Sequence, residues 1–594
     1  MSQSISFWRK IIYVAAIALL LFPLYFIGRP ASRRDSGGGK LAQLRQEYGL
    51  AQANLGEIDP ASESMKLATL GMRGVAANLL WQKAFEYKKK EEWDNFTATT
   101  RQITKLQPNY IMVWEFQAHN LSYNVSVEFD DYRHRYHWVK KGLSFLIEGT
   151  HHNRDNPRLL HYTGWITGQK IGRADEHVQF RQMFREDDDF HDELNQEVFV
   201  DNAVGYDGRP DNWLVSRLWY KRAERSVDEG AMWKGKSHLI GDDDPLRGKS
   251  PLIFHNDAPM SNINYASTIE TEGILGETAQ RAWIVADKGW MEFGKRLIPT
   301  TWGHVLRLGD LESAKKDIAQ MRERFEEMTK GIREQIKEEK TAALTSEERD
   351  ALNTPLDKMD EDTYPLYYDA MGKTSVSYAE IAERAPAAER DKAGRLASRM
   401  VDQETLAGRI VHYRSTINYD YWEMRCKAEQ EKITVEAREC IYKAEKEKEA
   451  ANPEKARELY EEAWKKWAEV FEKYPRLKDD VESEDLVKSI RRYRRMLQAY
   501  DKDLPQDFIL RDMLIGEEGF KDLYGDADGS VPEEGMKETI EKGDDEGPAA
   551  KTPAEPTPDA EPEPDAEPEP DAAPVLDATL KPVAAPEPDA SPSP

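Results

Sequence analysis

Leu80–Pro108 reads LWQKAFEYKKKEEWDNFTATTRQITKLQP, and its spacing decides the fold. Ala84 is small where two paired helices must approach closely. Tyr87, Trp93, Phe96, Ile103 and Leu106 then fall at the spacing of a helix-pair core, and Pro108 closes the second helix. Apolar residues three and four apart share one helical face, so this stretch predicts two amphipathic helices folded back on each other.

The pattern recurs on both sides. Six residues after Pro108, Trp114 opens the next helix, and Ala118 and Leu121 repeat the small-then-large order. An insertion around Val127–Arg135 is expected to interrupt this pair, which resumes at Trp138, Leu143 and Leu146 and closes at Pro157. A third unit starts at Leu160, Tyr162, Gly164 and Trp165, and Tyr460, Ala463, Trp467, Val470, Phe471 and Pro475 repeat the second half far downstream. These units resemble the tetratricopeptide repeat, a helix-turn-helix of about 34 residues. The resemblance implies stacked pairs that build a concave surface for other proteins or peptides. GMRGVAANLLWQKA, ITKLQPNYIMVWEFQAHNLSYNVSV and SNINYASTIETEGILGETAQRAWIVADKGWMEFG are also similar to membrane-anchored, TPR-like bacterial proteins. That likeness implies a bacterial envelope setting and brings no activity with it.

Eleven of the 15 tryptophans lie between Trp81 and Trp302, more than a core of that length needs. Some should therefore be exposed as anchors, since large aromatics dominate binding surfaces. The expected partner-binding residues are Trp81, Trp93, Trp114, Tyr123 and Trp138.

Hydrophobic residues make up 39% of the 594 and charged residues 32%, which describes a water-soluble body. The one long uncharged run is Ile11–Ile27, IIYVAAIALLLFPLYFI. At 1.5 Å per residue it is near the lower limit for a bilayer core, with Phe7, Trp8, Tyr13 and Tyr25 placed for headgroup contact. A cleaved signal peptide is the rival reading, but the run is long and ends in Gly28-Arg29-Pro30 without a small-x-small site. An uncleaved single-pass anchor through residues 7–28 is expected, with an extracytoplasmic body; basic residues on both sides leave the cytoplasmic orientation open.

The segments follow from composition: anchor, 1–30; flexible spacer, 31–40; TPR-like repeats, 41–200; a mixed, mainly helical region with irregular loops, 201–310; long charged helices with a TPR-like pair, 311–520; disordered acidic, proline-rich tail, 521–594. Within the mixed region Gly230–Asn262 reads as irregular, followed by a helix to Phe293 and extended residues over Leu297–Leu308. Ala314–Lys340 carries one apolar stripe, and Arg395–Lys448 is similar, with Cys426 and Cys440 placed on one helix as buried thiols. These helices pack on the repeats or, alternatively, form a coiled-coil arm. From Glu541 onward 15 acids face three lysines, so about −12 of the formal charge of −26 belongs to the tail. No basic face remains for nucleic acid.

Eight of twelve histidines fall between His119 and His191. His134, His137, His151, His152 and His191, with His161, supply material for a metal site, although no established ligand spacing occurs. Gly248-Lys249-Ser250 lacks the glycine of a phosphate loop, and Asp526–Ser530 lacks the glycine and glutamate of a calcium loop. No nucleophile elbow or dinucleotide fingerprint is present. The expectation is an all-α, membrane-anchored interaction scaffold that is not an enzyme, needs no cofactor, and has proteins or peptides as partners. The alternatives are a metal-binding protein or metal-dependent hydrolase using residues 119–191, and a structural tether of the cell envelope.

Overall fold

The computed structural model describes residues 19, 23, 25–27, 39–47, 62, 72–154, 156–229, 252–299, 305–355, 359–360, 363–479 and 481–515. The described chain is all-α apart from one two-stranded ribbon. No helix among the described residues is long and apolar enough to cross a membrane. Most of the expected anchor, the spacer, the acidic tail and the two failed loop motifs lie outside the described residues. The chain divides into two compact units, residues 1–431 and 432–594.

The first unit opens with the expected pairs. Helix α1 is Arg73–Lys89 and α2 is Trp93–Leu106; Ala84, Phe96, Ile103 and Leu106 are buried between or beside them. Helix α3, Ile111–His119, runs on into a π-helical turn, Asn120–Val125, and pairs with α4, Tyr132–His152. The expected insertion is therefore only a tight turn. The π turn lengthens α3 to reach it, and Asp131 starts α4 by accepting a hydrogen bond from the Arg133 amide. The pair closes tightly at Gly142, where a Cβ would stand 2.1 Å from Ser122 Oγ.

Pro157 opens a helix instead of closing one. It is the first residue of α5, Pro157–Trp165, where a missing amide costs nothing, and Asn156 caps it by accepting from Arg158 and Leu159 amides. This helix also passes into a π turn, Ile166–Lys170, before ending at Ile171–Arg173. Helices α6 (His177–Glu186), α7 (Asp188–Asn195) and α8 (Asn212–Asp228) follow.

Sequence reading places the next helix too late and runs two together. Helix α9, Ile253–Thr271, begins inside the stretch expected to be irregular and continues through Pro259. It is separated from α10, Glu277–Gly294, by Gly273 and Gly276, whose φ values of +86° and +69° end one helix and start the other. The extended residues form strands β1, Ile298–Pro299, and β2, Val305–Leu306, with Ile298 opposite Leu306.

The charged rods are segmented too. Ala314–Lys340 splits at Gly331, φ +76°, into α11 (Leu311–Met328) and α12 (Ile332–Ala342), yet Ile318, Phe325 and Ile336 stay buried as the stripe requires. After α13 (Ser346–Leu352), α14 (Thr363–Thr374) and α15 (Tyr378–Glu383) come α16 (Arg390–Thr416) and α17 (Tyr419–Glu429). Cys426 lies on α17 and Cys440 on α18, Lys432–Glu449, so the two thiols do not share a helix; both are buried and unbridged.

In the second unit α18 packs against α19, Pro453–Lys473, whose Tyr460, Ala463, Trp467, Val470 and Phe471 are all buried, and α20, Val481–Gln498, completes the group. Tyr460 stacks on Trp464 at 5.5 Å and touches the Tyr493 ring at 5.0 Å.

Candidate functional site

The five expected partner-binding residues reach three different places. Trp114 is core: it is 1% exposed, its indole N–H donates to the Pro108 carbonyl at 2.8 Å, and its ring lies on Phe145. It has no surface to offer a partner. The same carbonyl accepts from Asn153 Nδ2, so a buried acceptor fixes Trp114 and the end of α4 together.

Trp93 and Trp138 are partly exposed on the second helices of the pairs, α2 and α4. Phe129 stacks on Trp138 at 5.8 Å and Lys141 Nζ lies 4.2 Å from its ring centre. Trp138 borders a cleft of about 770 Å³ lined by α2, α4 and α7. Some of the charges around this cleft are paired: His151 and Arg222 both bond Glu197 at 2.7 Å, and Lys140 bonds Asp187 at 2.8 Å.

Trp81 and Tyr123 belong to a band across the first helices, α1, α3 and α5. Trp81 meets Phe116 at 5.3 Å, and Phe85, 44% exposed, meets it at 6.0 Å. One helical turn further, His119 stacks on Tyr123 at 4.6 Å, Tyr123 meets Trp165 at 5.7 Å, and Trp165 stacks on Tyr162 at 5.6 Å. Tyr162 Oη then closes the circuit with His119 Nδ1 at 2.9 Å. All four rings are half-buried.

Two features of this quartet are absent from any spacing argument. Its helices both pass into π turns here, and such turns are over-represented at functional sites. Lys170, the last residue of the second π turn, is 7% exposed, and its Nζ lies 4.8 Å from the centre of the Tyr123 ring. Among the described residues it makes no hydrogen bond or ion pair. Burial holds its ammonium below the ordinary value of 10.5, an effect that Glu176 and Asp175 offset only in part. Glu176 is already bonded to Arg135. Burial, then the charges of Lys88 and Lys170, depress His119 below 6.5. The quartet therefore has a positive charge, compensated only in part by Glu176 and Asp175, beside its flat rings.

The candidate metal ligands do not converge. His134 and His137 are exposed, the first against Phe129 and the second against Trp138. His151 pairs with Glu197, His152 stacks on Trp114, and His191 is buried against Phe184. His161 bonds Asp257 at 2.6 Å. Among the described residues no three His, Cys, Asp or Glu side chains come together as a metal site.

The tryptophan surplus resolves the same way. Trp114, Trp213, Trp219, Trp283 and Trp290 are fully buried, whereas Trp81, Trp93, Trp138 and Trp165 are partly exposed. Sequence reasoning missed His119, Tyr162, Trp165 and Lys170 as one group.

The described residues define an all-α protein that opens with two consecutive helix pairs and carries an aromatic face with a lysine beside it. No family model, no curated protein and no solved structure matches the chain.

Proposed function

We propose that this chain is a membrane-anchored interaction scaffold that holds a partner polypeptide on the face made by α1, α3 and α5. The observation that carries this reading is the half-exposed band Trp81, Phe85, Phe116, His119, Tyr123, Tyr162 and Trp165, which spans α1, α3 with its π turn, and α5. Rings left partly in water by an otherwise well-packed array are the usual anchors of a protein interface. The architecture is that of a tetratricopeptide-like stack, and the hydrophobic run in residues 7–28 holds it at a bacterial membrane with its body outside the cytoplasm.

The test is photo-crosslinking in intact membranes with benzoylphenylalanine placed at Phe85 or Tyr123, and at Glu312 on α11 as control. Defined adducts from the first two positions and none from Glu312 are expected. An adduct pattern identical at all three positions, or none at Phe85 and Tyr123, would overturn the reading.

A further inference from the structure

The interaction reading leaves open what the partner must present, and the quartet narrows it. Lys170 is more than nine-tenths buried as a residue and makes no hydrogen bond or ion pair among the described residues, and Glu176 and Asp175 offset its partial desolvation only in part. Lys88, whose Nζ lies 5.1 Å from the Phe116 ring centre, adds a second cation that makes no ion pair there. The nearby Arg135 is different, because Glu176 already neutralises it. Tyr162 and Trp165 stack parallel within 8°, both half-buried, next to the Tyr123 ring on which Lys170 Nζ lies.

Resting on the interaction reading, we infer that the quartet and Lys170 form a docking site for an extended, acidic, proline-containing segment of a partner protein. A partner carboxylate pairs with Lys170 Nζ, and a neighbouring pyrrolidine ring lies on Tyr162 and Trp165. Proline suits the rings because its extended conformation is largely set before binding, so little ordering entropy is lost. The carboxylate suits Lys170 because a charge-assisted bond in a partly dry site is stronger than one in water. Lysine is held at this position at some cost to the free protein, as recognition residues commonly are.

The experiment uses full-length protein in detergent, with the acids of residues 541–594 changed to Asn or Gln so that the chain's own acidic repeats do not compete. Fluorescence anisotropy follows a labelled AEPEPDAEPEPDA peptide and a neutral twin carrying Gln and Asn. The acidic peptide is expected to bind at least tenfold more tightly than its twin. Lys170→Met should erase that difference while melting no lower than the parent, and Lys170→Arg should keep most of it. Equal binding of both peptides, a charge preference that survives Lys170→Met, or binding of neither peptide overturns the inference. The crosslinking at Phe85 and Tyr123 judges the broader reading independently.

Discussion

Two buried cations on adjoining elements of the first unit are treated in opposite ways. Arg181 on α6 is wholly enclosed, and every direction of its guanidinium is answered. It bonds Asp211 at 2.9 Å, Glu272 at 2.7 Å and Asn212, while Arg185 holds the other Glu272 oxygen at 3.0 Å. Asp211 also caps α8 through the Trp213 amide, so one guanidinium ties α6, the start of α8 and the end of α9. Lys170, on the turn before α6, meets a ring face and feels Glu176 and Asp175 only at a distance, with no hydrogen bond or ion pair among the described residues. The difference separates a charge tied into the fold by side-chain bonds from a charge that, on the proposal above, a second molecule would pair.

The sharpest way to break this contrast is to remove the satisfied cation. Arg181→Met leaves Asp211 buried without its bonded cation and Glu272 with Arg185 alone, and should destabilise the protein by roughly 3–5 kcal/mol in denaturant unfolding. A loss below about 1 kcal/mol would mean the network does not staple these helices. Gly142→Ala probes the pairing itself: its Cβ would meet Ser122 Oγ and the Ala118 carbonyl, so a loss of about 1–3 kcal/mol is expected from overpacking.

On the other side of the comparison, Lys170→Met should stabilise by about 0.5–2 kcal/mol, since it removes a desolvated charge. A destabilised variant would show that Lys170 is structurally paired after all. Acidity sharpens the picture further. His119, His191 and His255 are each depressed below 6.5, with burial the leading cause. The unfolded chain therefore binds these protons more readily, and stability present above pH 6.5 is lost as pH falls below it. The melting temperature should drop between pH 7 and pH 5, and His191→Asn should flatten that drop; an unchanged profile would contradict the assignment. The smallest effect belongs to the second unit, where Lys443→Ala breaks the exposed Glu439 pair and should shift stability by less than about 0.5 kcal/mol.

How much of this was legible beforehand depends on what spacing encodes. Ala84, Phe96, Ile103 and Leu106 announce the first pair because a small residue and a periodic stripe have one sensible arrangement, and all four are buried. Trp114 and Tyr123 look equivalent as aromatics on one helix, yet one is core and the other half-exposed. Periodicity identifies a face but not what covers it, and the π turn between them resets the phase. The rods over Ala314–Lys340 and Arg395–Lys448 were overextended for a related reason. Gly331 at φ +76° and Asn418 at φ +50° break them, and a single left-handed residue barely disturbs a hydrophobic stripe. Lys170 was invisible because nothing in a sequence marks a lysine as lacking a partner.

The paired π turns carry a last consequence. Each has the form of an α-helix with one residue spliced in, and each residue swings the chain by about 100° around the helix axis. Excising a single position from 120–122 would therefore rotate Tyr123 away from Trp165 while sparing the upstream grip of Trp114 on Pro108. Tyr162 and Trp165 precede the second turn, so that turn re-phases Lys170 and not the rings, and the two turns set the placement of Tyr123 and of the ammonium separately.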